Sequence, residues 1–110
     1  MKKSLIPIGQ MFVQLPSVNV ELQTTYKPKV WVKVDNVEGV SSLFVDNDAL
    51  IGFAIGVVKE FGIRDKWLIS DYYYGECVRE GKFVPIDDLR EVESICNDLG
   101  LEMPESKYLF

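Results

Sequence analysis

The residues best equipped for chemistry stand in one string, Asp71-Tyr72-Tyr73-Tyr74-Gly75-Glu76. A carboxylate beside a phenol can serve as base and acid, and a cleft built on Asp71, Glu76 and tyrosine hydroxyls would suit a small enzyme or ligand-binding domain. No nucleophile or anion-binding loop accompanies the string. Tyrosine is also favoured at protein interfaces, because it joins a rigid apolar ring to a polar tip. Placed on a strand, Tyr73 shares a face with Asp71, and Tyr72 with Tyr74, so at least one tyrosine face is expected to be partly exposed.

Other chemistries fall away on residue type. The chain of 110 residues has no histidine, which removes histidine-dependent triads, most metal sites and the usual pH switch. Asp46-Asn47-Asp48 clusters oxygens as a calcium loop does, but the glycine and the twelfth-position acid of such a loop are missing, and a helix cap explains it better. Apolar Leu43-Phe44-Val45 before Asp46 has the form of a magnesium-binding strand end. No glycine-rich loop with Lys-Ser/Thr accompanies it, so phosphoryl transfer is not expected. No cofactor or metal is implied. Cys77 and Cys96 read as two reduced thiols acting as small apolar residues, one disulfide being the alternative.

Lys27, Lys29, Trp31 and Lys33 form a basic stripe with an interleaved aromatic, the composition of a single-stranded nucleic-acid platform. The whole chain argues against that use: 12 basic residues face 17 acidic ones, with a pI near 4.7, whereas binders of phosphate backbones are usually basic. The charge is also uneven. Residues 1–75 balance eight acids with eight bases, while residues 76–110 hold nine acids and four bases, so the net charge of −5 lies in the last third. Asp87, Asp88, Glu91 and Glu93 lead this acidic run. An acidic helix face can simply be solvated, or it can steer a basic partner into contact.

Hydropathy patterning supplies the frame for these groups. Met11–Leu15, the alternating run from Val18 to Thr25, Lys29–Asp35 and Ser42–Asp46 read as four strands of a meander. In the third, Val30, Val32 and Val34 are expected to point inward and Lys29, Trp31, Lys33 and Asp35 outward. Asp48–Phe61 is apolar almost all round and reads as a buried helix capped by Asp46 or Asn47 and stopped at Gly62-Ile63. Gly52 and Gly56 within it would allow close backbone approach, to the sheet or to a second copy. Trp67–Tyr74 reads as a strand and Cys77–Pro85 as a hairpin around Glu80-Gly81. Asp88–Leu99 is an amphipathic helix with a capping-box spacing from Asp88 to Glu91 and a stop at Gly100-Leu101.

Together these describe one α+β domain over residues 1–110: a twisted, mostly antiparallel sheet of five or six strands with two helices packed on one face. The first ten residues break too early for a secretory leader, and no run is long enough to span a bilayer, so a cytoplasmic protein is expected. The functional expectation is a small non-enzymatic protein, monomeric or weakly dimeric, that binds and neutralises a basic protein. An immunity protein against a toxin nuclease or similar effector fits, and a phage-encoded inhibitor of a host defence complex has the same profile. Contact is expected through Asp71, Tyr72, Tyr73, Tyr74, Glu76, Asp87, Asp88, Glu91 and Glu93, without direct contact to nucleic acid or membrane.

Overall fold

The computed structural model describes residues 3–16, 27–56 and 61–104. The chain order is β1 (Met11–Gln14), β2 (Lys29–Val37), β3 (Ser41–Asp46), α1 (Asn47–Ala54), a 3-10 turn (Ile63–Asp65), β4 (Lys66–Ser70), α2 (Asp71–Arg79), β5 (Phe83–Ile86) and α3 (Glu91–Leu99). The five strands form one open antiparallel sheet in the order β4-β3-β2-β1-β5. The α+β class is the one the sequence indicates, with three α-helices among the described residues where two were expected. The alternating run Val18–Thr25 lies outside the described residues.

The helices do not share one face. Phe12 and Val13 are neighbours on β1 and so point to opposite sides of the sheet. Phe12 belongs to a cluster with Trp31, Phe44, Ile69, Phe83 and Cys77 of α2, whereas Val13 packs with Val30, Ile86 and with Val92 and Cys96 of α3. The sheet is therefore covered on both sides. This reverses the expectation for β2: Trp31 is only 4% exposed and Lys33 1%, because the side opposite the valines lies inside a second core. Val34 is the extra residue of a bulge between Lys33 and Asp35, where the register with β3 shifts.

Local signals explain the element ends. The Asp46 carboxylate accepts the Asp48 N–H at 2.9 Å and starts α1. That helix ends at Ala54 because Gly56 turns the chain at φ 87, and it is not buried: Phe53 and Ile55 are exposed. Residues 57–60 lie outside the described set. Gly62 has an extended backbone and leads into the 3-10 turn, its N–H donating to Asp65 Oδ2 at 3.0 Å, so it is no helix stop. Gly52 is buried, and among the described residues nothing stands within 4 Å of the position a Cβ would take at Gly56.

The strand expected over Trp67–Tyr74 stops at Ser70, whose Oγ accepts the Tyr73 N–H at 3.2 Å and caps α2. The tyrosines are therefore helical. Cys77–Pro85 is not a hairpin: α2 continues to Arg79, and Gly81 at φ 75 closes it, with Lys82 N–H donating to Cys77 C=O at 2.8 Å. The end of α3 repeats this geometry with Gly100 at φ 67 and Leu101 N–H on Cys96 C=O at 2.8 Å, the stop read from the sequence.

Candidate functional site

Helix α2 crosses one face of the sheet from β4 to β5 and sorts its tyrosines by depth. Tyr74 faces the core, with its ring 5.6 Å from Phe12, 6.0 Å from Phe44 and 6.1 Å from Phe83. Tyr73 lies on the flank between Trp67 and Phe83, at 6.0 and 6.1 Å, and is 45% exposed. Tyr72 stands outermost at 72% exposure. Four residues on, one helical turn away, Glu76 takes a hydrogen bond from the Tyr72 hydroxyl. Glu80 follows, paired with Lys82 at 3.0 Å.

All three phenols are held in their neutral form. The hydrogen bond to Glu76 and that carboxylate's charge raise the pKa of Tyr72. Burial does so first for Tyr73, with a further contribution from Cys77, and burial alone for Tyr74. Asp71 and Glu76 are five residues apart and project about 140° from each other around the helix axis. They do not converge on one substrate position.

Asp71 is engaged elsewhere. Its Oδ2 accepts the Leu5 N–H at 2.8 Å and its Oδ1 accepts the Ser4 hydroxyl, which also meets the Ser42 hydroxyl at 2.9 Å. These bonds tie down residues 3–10, a strap that continues to β2 through Gly9 N–H on Lys33 C=O and Lys33 N–H on Gln10 C=O, both at 2.9 Å. Beneath it the Lys33 ammonium donates to Ile6 C=O and, at 2.8 Å, to Asn36 Oδ1. Burial lowers the pKa of Lys33, opposed by the charges of Asp71 and Asp35. Ser4, Lys33, Asn36 and Ser42 form a polar cluster that the sequence reading missed. Its members come from distant segments, and no local spacing announces it.

The acidic run after β5 has its own local work. Glu91 Oε2 accepts the N–H groups of Asp87 and Asp88 at 2.7 and 3.0 Å, the reciprocal half of the expected capping box. Asp88 accepts the Arg90 N–H at 2.8 Å and holds its guanidinium with Nη2 at 2.7 Å, which brings the Asp88 carboxyl down to about 2. Asp87 and Glu93 are exposed, as are Asp98 and Glu102 further on. The expected contact set is therefore divided. Asp71 to Glu76 lie on the α2 face, and Glu91 and Glu93 ride on α3 against the opposite face. Asp71 follows one edge strand and Asp87 the other, across four strand spacings, or about 19 Å.

Cys77 and Cys96 are free, buried thiols in separate cores on opposite faces. Among the described residues, no group of three His, Cys, Asp or Glu side chains is placed to hold a metal ion, and no helix is long and apolar enough to cross a membrane. Comparison with protein-family models, curated proteins and solved structures finds no match.

Proposed function

We propose that this chain is a small, acidic, non-enzymatic cytoplasmic protein that binds and neutralises a basic protein, in the manner of an immunity protein against a toxin nuclease or similar effector. The observation that carries the reading is the outer ridge of α2, where Tyr72 and Tyr73 stand exposed beside Glu76 and Glu80 on a helix seated on a packed aromatic core. Rigid aromatic anchors next to carboxylates are the composition of binding hot spots. The ridge makes contact, while the α3 acids on the far face act at longer range, raising the encounter rate with a basic partner without touching it.

Two further observations favour protein over nucleic acid or substrate. The basic stripe that nucleic acid would need loses Trp31 and Lys33 to the interior. The carboxylates of an acid–base site diverge, and one of them, Asp71, is already bonded to the strap.

The test compares two baits in the same native lysate, the wild-type chain and Tyr72→Ala, eluted by a salt ramp and read by quantitative mass spectrometry. The reading expects one basic protein, retained in stoichiometric amount by the wild type, released by salt, and depleted from the variant. Equal recovery of every protein by both baits contradicts it.

A further inference from the structure

Residues 4–6 of the strap are held as a guest segment is held. The Leu5 N–H donates to Asp71 Oδ2 at 2.8 Å and the Ile6 C=O accepts from the Lys33 ammonium, so a carboxylate on α2 and an ammonium on β2 grip the two ends of one dipeptide backbone. The Ser4 hydroxyl donates to Asp71 Oδ1, meets the Ser42 hydroxyl of β3 at 2.9 Å and accepts the Ile6 N–H at 3.2 Å. The Ile6 side chain packs against the core cluster beneath α2, while the Leu5 side chain is 92% exposed. The slot thus reads a backbone, a hydroxyl and, two positions on, one aliphatic side chain, and it ignores the side chain between them.

What the segment covers is polar. Lys33 and Ser42 are buried, and with Asp71 they supply the slot's hydrogen-bonding groups. Lifting the segment returns an ammonium, a hydroxyl and a carboxylate to water, which solvates them, and withdraws one half-buried isoleucine from apolar contact. Among the described residues, the strap's backbone-to-backbone bonds to the sheet begin only at Gly9 and Gln10, after a turn in which Gln10 N–H donates to Pro7 C=O at 3.1 Å and Gly9 stands at φ 94. Residues 4–6 can therefore part from the fold locally while the turn and β1 stay in place.

We infer that this slot is a peptide-binding site that the chain fills with its own residues 4–6, and that a separate extended segment of the same Ser-x-Ile chemistry takes their place once they are lifted. The site borrows Asp71 from α2 but does not depend on the α2 ridge binding a basic protein. The strap itself shows what fits. Main-chain bonds hold an extended segment whatever its sequence, and the Ser4 and Ile6 positions add the selectivity. A short tether supplies an effective concentration on the order of millimolar, so a free segment competes at that level and succeeds once the strap is weakened.

The test is acylation of lysines by a succinimidyl ester, read site by site with mass spectrometry on the full chain, with exposed Lys66 as internal reference. Two variants lift the segment: Ile6→Asp, which takes the aliphatic side chain off the core, and Leu5→Pro, which removes the N–H bonded to Asp71 and disturbs no packed side chain. Circular dichroism and thermal melting verify that they fold. The probe is the capped, lysine-free peptide of residues 4–10, Ser-Leu-Ile-Pro-Ile-Gly-Gln, in millimolar excess, with the Ile6→Asp peptide as control. Lys33 is expected to be protected in the wild type with or without peptide, to lose protection in a folded variant, and to regain it with the probe but not with the control. Labelling of wild-type Lys33 as fast as Lys66, protection kept in every folded variant, or protection that the probe does not restore or that the control restores equally overturns the inference. Unfolding of both variants overturns it too, because residues 4–6 would then not part from the fold locally.

Discussion

The carboxylate of Asp71 accepts the backbone N–H of Leu5 at 2.8 Å, so the residue that opens α2 also fastens a segment sixty-six positions earlier in the chain. Helix start and strap share one charge, which the helix N-terminus further favours.

Asp71→Ala is accordingly expected to free the strap. Loss of the acceptor leaves the Ser4 hydroxyl with Ser42 and the exposed Leu5 N–H to water, at about 1 kcal/mol of stability. Hydrogen exchange read by mass spectrometry should show faster exchange confined to residues 3–10 and the start of α2, with β1 and β2 still protected.

Strand alternation tells which residues share a side but not which side is covered. Alternation on β2 marks Val30 as buried, but Val32 and Val34 are only half-buried, and Trp31 and Lys33, on the side expected to face solvent, are the more deeply buried because a second core covers it. The α2 misreading has another cause. Tyr72, Tyr73 and Tyr74 favour strands by propensity. The Ser70 cap and the apolar positions Tyr74, Cys77 and Val78, spaced by three and four, carry the helical signal. The stop of α3 was readable because Gly100 acts on its own neighbours; its start was not, because Asp88 and Glu91 bond within a turn and the helix begins only at Glu91, behind Arg90 and without a side-chain cap. The cluster of Ser4, Lys33, Asn36 and Ser42 was not, since the contacts of Ser4 with Ser42 and of Lys33 with the strap exist only once the chain has folded.

Asp88 provides a titration test with a defined sign. Its carboxyl is held at about 2 against an ordinary 3.8, chiefly by the Arg90 side chain. The unfolded chain therefore binds more protons here, and the group's contribution to stability is present above 3.8 and lost as pH falls through about 2. Carbon-detected NMR titration should find the depressed value, and Arg90→Ala should return it toward 3.8.

The two thiols should behave as core residues. Burial raises the pKa of Cys96, and Cys77 sits in the aromatic cluster beneath α2. Reaction with a thiol reagent under native conditions should be slow and should accelerate with denaturant in step with global unfolding. Mild oxidation should yield no intrachain bridge, because the sheet separates the cysteines. Rapid labelling of either thiol in native buffer would contradict this packing.

Gly81 closes α2 at φ 75 with open space around it, so Gly81→Ala should cost only backbone strain, about 1 kcal/mol. Chemical denaturation should show a lower midpoint with an unchanged slope.

At the interface itself, truncating a hot-spot tyrosine typically costs about 2 kcal/mol, roughly thirtyfold in affinity. Tyr72→Ala should weaken partner binding by that order with little change in melting temperature, since the ring touches solvent more than core. Charge reversal at Glu93 should instead slow association and flatten its salt dependence while leaving dissociation nearly unchanged.

Site-specific photo-cross-linking in the native cell tests the central claim most directly, with the photoreactive side chain placed at Tyr72 on the α2 ridge or at Glu93 on α3. A single adduct with a basic protein from position 72, absent from position 93, is the predicted result. Adducts from position 93 with none from position 72, or none from either, would contradict a binding surface on α2.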